Sequence, residues 1–367
     1  MQPAFGVQPP PIPSARVLLV SCYELGQEPL GLAVPAGVLA RAGIPVHILD
    51  LAVSPLDADL VAQADLVAIS TPMHTALRLG VRVAAIVREA NPHTHICFFG
   101  LYAELNQSHL VPNLADSCLG AEFEAGLTDL ARRVIDARAN GVRGRDAVAQ
   151  RATGDGARSR ERAIDLTPLR AGFSHREGYA KLALGGERYQ VGYVVTTRGC
   201  KHLCRHCPLP PAYAGSFYAL PLERVLDDID ALVARGARHL TFADADFLNG
   251  PTHALRIARE IARRFPSITF DYTAKIEHLH VHERATDELR ELGALFVVSA
   301  VESFNDAVLS ALAKGHTRAE ALAVIRRFAQ RGHTLRPTFV PFTPWETRES
   351  SAELFQIVEG EGLVEHI

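Results

Sequence analysis

At 367 residues the chain exceeds one average domain, and two domains are the natural expectation. Hydrophobic residues make up 48% and charged residues 22%, near the globular average, so sizeable cores can form, and a formal net charge of -3 calls for neither nucleic acid nor an anionic membrane. No apolar run approaches the roughly 20 residues of a membrane span, and six cysteines, half of them in one motif, suit a reducing compartment in which thiols stay free to hold metal. The opening MQPAFGVQPPPIPS lacks the basic-then-apolar order of a signal peptide, so a cytoplasmic protein is expected.

Residues 1–14 carry five prolines, which fix φ and remove amide donors, and read as an extended tail. From residue 15 short apolar runs alternate with helical patterns. The runs are 15–21 (ARVLLVS), 45–52 (PVHILDLA), 65–70 (DLVAIS) and 95–100 (HICFFG), and the helices fall at 31–43, about 75–90 and about 122–139. Strands alternating with helices of this length indicate a Rossmann-like, doubly wound parallel sheet over 15–140, covered on both faces, with ligands at the carboxyl ends of its strands. Those ends carry Cys22, Asp50, residues 71–74, 100–102 and 120–123, but no G-x-G-x-x-G follows the first strand, so a dinucleotide site is unsupported. His74, alone on such an end, reads as a hydrogen-bonded structural residue before a metal ligand.

Residues 141–163 are charged, glycine-rich and almost free of large apolar side chains, which makes them a linker. Together with a pre-barrel extension they fill 141–190. A second alternation occupies 191–367. Its strand runs are 191–197 (VGYVVTT), 238–246 (RHLTFADAD), 267–275 (SITFDYTAK), 294–302 (ALFVVSAVE) and 334–342 (TLRPTFVPF), with helices at about 221–235, 252–265, 282–292 and 305–331. Polar residues end each strand, which is where a β/α barrel places its chemistry. Residues 363–367 (LVEHI) read as the opening of a sixth strand. Trp345, the one tryptophan, is assigned to the core ahead of a stacking role.

The segment 196–213 (TTRGCKHLCRHCPLPPAY) puts Cys200, Cys204 and Cys207 in a C-x3-C-x2-C spacing on the loop leaving the first of these strands. Thiolate is the ligand iron–sulfur clusters take, and three thiols this close can occupy three corners of one cube. A fourth cysteine is missing nearby, so one iron would be open to a small molecule. The competing reading is a zinc site of the three cysteines with His202 or His206, although such sites usually come as two separated pairs. A disulfide is disfavoured in a reducing compartment.

This spacing resembles the signature of the radical S-adenosylmethionine (radical SAM) enzymes, with His206 where an aromatic residue is usual. The resemblance implies a partial (β/α)6 barrel and a [4Fe-4S] cluster on Cys200, Cys204 and Cys207. It also implies S-adenosylmethionine chelated at the open iron and cleaved reductively to a carbon radical. It further implies Asp244 and Asp246 near the methionine amino group, Lys275 near its carboxylate, with a surface ion pair to Glu277 as the equal alternative, and Glu302 with Ser303 at the ribose hydroxyls. KGHT (314–317) recurs in this subclass and reads as a helix-breaking turn. A small-molecule substrate and a reductant such as flavodoxin or ferredoxin complete what the family implies.

The first domain resembles, over 28–52, 65–71 and 120–131, the cobalamin-binding domain of one large subclass. GLYAEL (100–105) replaces its glycine-rich turn, however, and no D-x-H-x-x-G supplies a histidine ligand. Cobalamin without a protein histidine and an empty domain both stay open. The stretches SCYELGQEPLGL, PMHTALRL and FGLYAELN are similar to the radical SAM group with a Cys-Cys-Ala-Glu-Pro or selenocysteine tail, which is absent here. The expected activity is transfer of a methyl or other fragment of S-adenosylmethionine to a small molecule, or its rearrangement, with cobalamin assistance. The alternatives are cobalamin-free aminocarboxypropyl transfer, as in carbon–arsenic bond formation, and a non-catalytic zinc or iron–sulfur sensor.

Overall fold

The computed structural model describes residues 16–148, 166–173 and 176–366. The tail at 1–14 and most of the expected linker lie outside them. The described chain divides into two compact units, one of residues up to Tyr23 and from Pro35 to 148, the other of Glu24–Val34 and everything from 166 onward. Among the described residues no helix is long and apolar enough to cross a membrane.

The first unit follows the order β1 (Val17–Ser21), α1 (Leu30–Arg41, which begins in the second unit), β2 (Val46–Asp50), α2 (Ala58–Gln63), β3 (Leu66–Ser70), α3 (His74–Ala90), β4 (His95–Phe99), α4 (Leu101–Leu105), α5 (Gln107–Leu110), β5 (Ser117–Leu119), α6 (Glu124–Ala139) and α7 (Gly144–Val148). Its sheet runs β2-β1-β3-β4-β5 with every pairing parallel. Strands β1, β3 and β4 are buried along their whole length, which is why they read as unbroken apolar runs and not as alternation. Leu18, Val20, Val67, Ile69, Ile96 and Phe98 share one core with Val83, Ala84 and Val87 of α3. Residues 141–148, placed in the linker from their charge, include α7, and Arg145 pairs there with Asp116 at 2.9 Å.

The second unit contains β6 (Lys181–Leu184), β7 (Glu187–Val194), β8 (Thr197–Gly199), α8 (Leu209–Tyr213), β9 (Phe217–Ala219), α9 (Leu222–Ala234), β10 (His239–Phe242), α10 (Pro251–Arg264), β11 (Thr269–Thr273), α11 (Ile276–Val281), α12 (Glu283–Glu291), β12 (Ala294–Glu302), α13 (Asp306–Ala311), α14 (Arg318–Gln330), β13 (Leu335–Phe339) and α15 (Arg348–Gly360). Its main sheet runs β13-β12-β11-β10-β7-β6, parallel throughout except for the antiparallel edge strand β6. The run 191–197 does not stay in that sheet. The chain leaves after Val194, and Thr197–Gly199 pairs antiparallel with β9 in a separate two-stranded ribbon. The expected sixth strand is absent from the described residues at 363–366. Gly362, at φ 70, closes α15 with Leu363 N bonded to Val358 O, and Val364–His366 turn as a 3-10 helix. Trp345 is 49% exposed and so is not a core residue.

Arg170, in the extension before the barrel, is 3% exposed. Its guanidinium donates to both Asp228 oxygens at 2.8 Å, to Glu28 at 3.1 Å and to the Tyr193 carbonyl at 2.7 Å. Arg235 adds a second cation on Glu28 at 2.9 Å. A buried charge set of this kind is costly to break on one side, because the partners are left without water or counterion.

Arg170→Met is expected to destabilise the second unit by about 3–5 kcal/mol, the range for a broken buried pair, read from its denaturant transition; a loss under about 1 kcal/mol would place the network outside the stability of this unit. Burial pushes His95 down from 6.5 to about 4, Asp116 opposing while Arg88, Arg133 and Arg145 reinforce it. The folded unit therefore holds a neutral imidazole that the unfolded chain protonates. The stabilisation is present above about pH 6.5 and lost as pH falls through about 4, a change of roughly 3 kcal/mol in the first unit. His95→Gln is expected to flatten the pH dependence of its unfolding free energy across that window, and an unchanged slope would contradict the assignment.

Candidate functional site

The parallel strands of the second unit end on one edge of the sheet, and the cysteine loop lies along it. Gly199 opens this loop at φ 79, and a Cβ there would stand 2.3 Å from the Ser216 carbonyl oxygen, so no other residue fits. The Cys200 amide bonds to the same Ser216 carbonyl at 3.1 Å, and Cys207 N bonds to Cys204 O at 3.2 Å, closing the loop on itself. All three cysteines are free. Cys200 and Cys204 are buried and Cys207 is half-buried. Burial pushes the Cys200 and Cys207 thiols up, each also sensing neighbouring thiols of the motif. A metal centre would be the group that draws off those protons. Three free thiols in one closed loop are the donor set an iron–sulfur cluster takes, and they fit one.

The strand ends grip the loop. Asp244, after β10, accepts from Thr196 N at 3.2 Å, from Thr196 Oγ1 at 2.9 Å and from the Thr197 hydroxyl. It is 4% exposed, and burial outweighs those bonds, lifting its carboxyl to about 6. Asn249 Oδ1 accepts from Lys201 N at 3.3 Å and lies 4.0 Å from the Cys200 sulfur. At the end of β12, Glu302 sits 3.1 Å from His206 Nε2 and 3.2 Å from the Lys314 ammonium.

Glu302 takes φ 68, a conformation costly for a residue with a side chain, of order 1–3 kcal/mol, and found where surrounding contacts over-determine it. Burial alone would raise its carboxyl, but His206 and Lys314 hold it below the usual range. Ser303 donates to Glu346 at 3.3 Å and accepts the Asn305 amide at 3.0 Å. Lys275 is 7% exposed, pairs with Glu277 at 3.1 Å, and its amide donates to Asp246 at 3.3 Å.

Asp246 is fully buried. Its Oδ1 caps Leu248 N at 2.9 Å, while His278 Nδ1 and His202 Nε2 stand 2.8 and 3.6 Å from Oδ2. Burial would raise this carboxyl too, yet the two imidazoles and the Lys275 amide hold it low. The sequence-derived residues therefore converge on one edge: Asp246 and Lys275 are in contact, and Glu302 reaches the loop through His206. Asp244 reaches it only through Thr196 and Thr197.

Sequence reasoning missed Lys314, His316 and His278. Lys314 is 3% exposed and bound to Glu302, so KGHT is more than a turn. Burial, with Lys314 and Lys275 adding, drives His316 down to about 4. The KGHT stretch, between α13 and α14, was the signal available for the first two.

In the first unit the corresponding edge carries α4 directly after Gly100. A Cβ on Gly120 would stand 2.5 Å from Glu104 Oε2, which accepts the Ala121 amide at 3.0 Å. The end of the flexible Glu104 side chain thus lies against Gly120, on the edge where the sequence likeness expects a corrin. His74 is exposed at the start of α3.

Residues 194–355 match the family model of the radical SAM superfamily. The chain is 24% identical over 222 residues to the ribosomal protein uS12 methylthiotransferase RimO of Chlorobium chlorochromatii (strain CaD3), covering 54% of this chain and 50% of that protein. It is 32% identical over 74 residues to the tryptophan 2-C-methyltransferase of Streptomyces laurentii, covering 20% of this chain and 12% of that one. It thus spans half the length, or less, of these relatives.

Among solved structures, the radical S-adenosylmethionine methyltransferase TsrM from Kitasatospora setae, with cobalamin and a [4Fe-4S] cluster bound, matches with a TM-score of 0.68 at 16% identity, over 95% of this chain and 70% of that one. The cobalamin-dependent S-adenosylmethionine radical enzyme OxsB, with aqua-cobalamin and S-adenosylmethionine bound, matches at 0.62 and 16% identity, over 94% and 52%. These likenesses show the fold: a Rossmann-like parallel sheet followed by a partial radical SAM barrel.

Asp244→Ala would orphan three buried donors on Thr196 and Thr197, at about 1–3 kcal/mol for each left unpaired. The variant is expected to fold but to retain less iron than the parent after anaerobic reconstitution, as measured by iron and sulfide content. Iron retention equal to the parent would show that the loop does not depend on this brace.

Proposed function

From the premise that residues 194–355 form a radical SAM domain, we propose that the chain is an enzyme that reductively cleaves S-adenosylmethionine and transfers a methyl or other fragment of it to a small molecule. The observation that carries this reading is the closed loop of three free, largely buried thiols among the buried carboxylates and ammonium groups of the strand ends. A [4Fe-4S] cluster bound there by Cys200, Cys204 and Cys207 would supply the electron that breaks a sulfonium carbon–sulfur bond.

The chain's own residues do the rest. Glu302 is kept ionised in a site where a carboxylate can accept from two vicinal hydroxyls, as on a ribose, and Lys314 and His206 fix its orientation. Ser303 stands beside it. Lys275, buried next to Glu277, can exchange that partner for the carboxylate of an amino acid. Asp246 offers its low-lying carboxylate to a cationic amine, while Asp244 braces the loop behind it. Asn249 and Asp244 keep the loop in place, and the burial of these groups excludes water from the reacting end of the substrate. Lys201 and Arg205 are exposed on the same loop and suit an acidic one-electron donor of the flavodoxin or ferredoxin class in a cytoplasmic, reducing compartment.

Cobalamin assistance rests on the structures this fold is similar to, TsrM and OxsB, both of which hold it. A second reading, aminocarboxypropyl or other fragment transfer without cobalamin, is favoured by Glu104, whose side-chain end lies against Gly120.

Reconstituted protein mixed anaerobically with dithionite and S-adenosylmethionine is expected to release a nucleoside or thioether product, identified by mass, and Cys204→Ala is expected to abolish it. An intact cluster that yields no product would leave the sensor reading in its place. Purification with added hydroxocobalamin separates the two transfer readings. Retained corrin absorbance supports the first, and a colourless first unit beside an active second one supports the other.

A further inference from the structure

We propose that His202, Asp246 and His278 form a binding site for one divalent metal ion of the zinc type, distinct from the three thiols. Two imidazoles and a carboxylate are a donor set that zinc takes readily, leaving a fourth position for water. The three residues come from three segments, the cysteine loop, the turn after β10 and α11, and their ligand atoms all lie within 4.8 Å of one another. Along two of the edges, His278 Nδ1 is 2.8 Å and His202 Nε2 3.6 Å from Asp246 Oδ2. A tetrahedral ion with bonds of about 2.0–2.1 Å requires edges of about 3.3 Å, between those two values.

Two imidazoles converge on one carboxylate oxygen, at ion-pair distance in the absence of a metal and in the arrangement an ion would take. Asp246 is fully buried and His278 is 7% exposed. Neither His202 Nε2 nor His278 Nδ1 makes a well-aligned hydrogen bond among the described residues, although both stand within ion-pair distance of the same carboxylate oxygen. Buried nitrogens poorly aligned with the carboxylate beside them are better satisfied by a metal ion, which serves both at once.

Outer groups orient the ligands as they do in zinc sites. The other ring nitrogen of His202, Nδ1, lies 3.5 Å from Glu277 Oε2, giving a carboxylate behind a ligating histidine. The Leu248 amide holds Asp246 Oδ1, and the Lys275 amide reaches Oδ2 from the side at 3.3 Å. Because His202 lies between Cys200 and Cys204, an ion here would pin the middle of the cysteine loop to β10 and α11 whether or not a cluster is bound. Metal retention is read without S-adenosylmethionine or turnover, but Asp246 is the carboxylate offered above to a cationic amine, so ion and amine exclude one another at Oδ2.

The test uses the full chain with its iron–sulfur cluster reconstituted, exposed to micromolar zinc chloride, desalted, and counted for metals by mass spectrometry. The expected result is about one zinc per chain in addition to iron, with a zinc-edge absorption spectrum showing only nitrogen and oxygen neighbours at about 2.0–2.1 Å. His278→Ala is expected to lose zinc at least tenfold, in the range for removal of a ligand or its support, while keeping its iron. Zinc that is not retained, a first shell containing sulfur at about 2.3 Å, or zinc retained undiminished in His278→Ala would overturn the proposal. The absorption spectrum of the parent protein decides the matter should the variant fail to fold.

Discussion

A loop that carries three free thiols is not left to find its shape by itself, because buried acceptors impose that shape. Asp244 takes three donors from Thr196 and Thr197, Asn249 takes the Lys201 amide, and Glu302 meets His206 on the far side of the motif. Each neutral bond contributes only about 0.5–1.5 kcal/mol net. Losing a buried acceptor costs more, because its donors are then stranded away from water. The loop is therefore fixed by what would go unsatisfied if it moved, and the residues that fix it sit at the ends of successive strands. The same residues carry the polar chemistry, so loop geometry and site geometry are one constraint. The unfavourable backbone of Glu302 belongs to this arrangement: Lys314 and His206 hold the carboxylate where an unstrained strand end would not put it.

Both sheets were legible because buried parallel strands write themselves as continuous apolar runs separated by amphipathic helices. Where the chain departs from that rule, the sequence signal is short or nonlocal. The hairpin β6–β7 was hidden in the stretch before the barrel, although its two-residue loop, Gly185 and Gly186 at φ 61 and 83, is the turn such hairpins favour. Thr197–Gly199 joins an apolar run in sequence but pairs elsewhere, because Gly199 turns the chain toward Ser216. Leu363 and Val364 look like a strand opening, yet Gly362 has already committed the preceding helix to a left-handed close.

The cysteines were legible from spacing alone, and the strand-end carboxylates from position. What spacing could not give is pairing. His278 meets Asp246 across 32 positions of sequence, Arg170 meets Glu28 across 142, and Lys314 finds Glu302 only once α13 has turned the chain back. The first unit teaches the same lesson from the opposite side. Its fold follows from its apolar runs, but the resting place of the Glu104 carboxylate, against Gly120 and the Ala121 amide, does not.

Three cysteines holding a cube would leave one iron for the amino acid end of S-adenosylmethionine. Electron paramagnetic resonance of the dithionite-reduced protein, recorded with and without S-adenosylmethionine carrying a nitrogen-15 amino group, addresses it directly. A changed cluster spectrum and a hyperfine coupling to that nitrogen are expected. A spectrum unmoved by S-adenosylmethionine, with no such coupling, would contradict it.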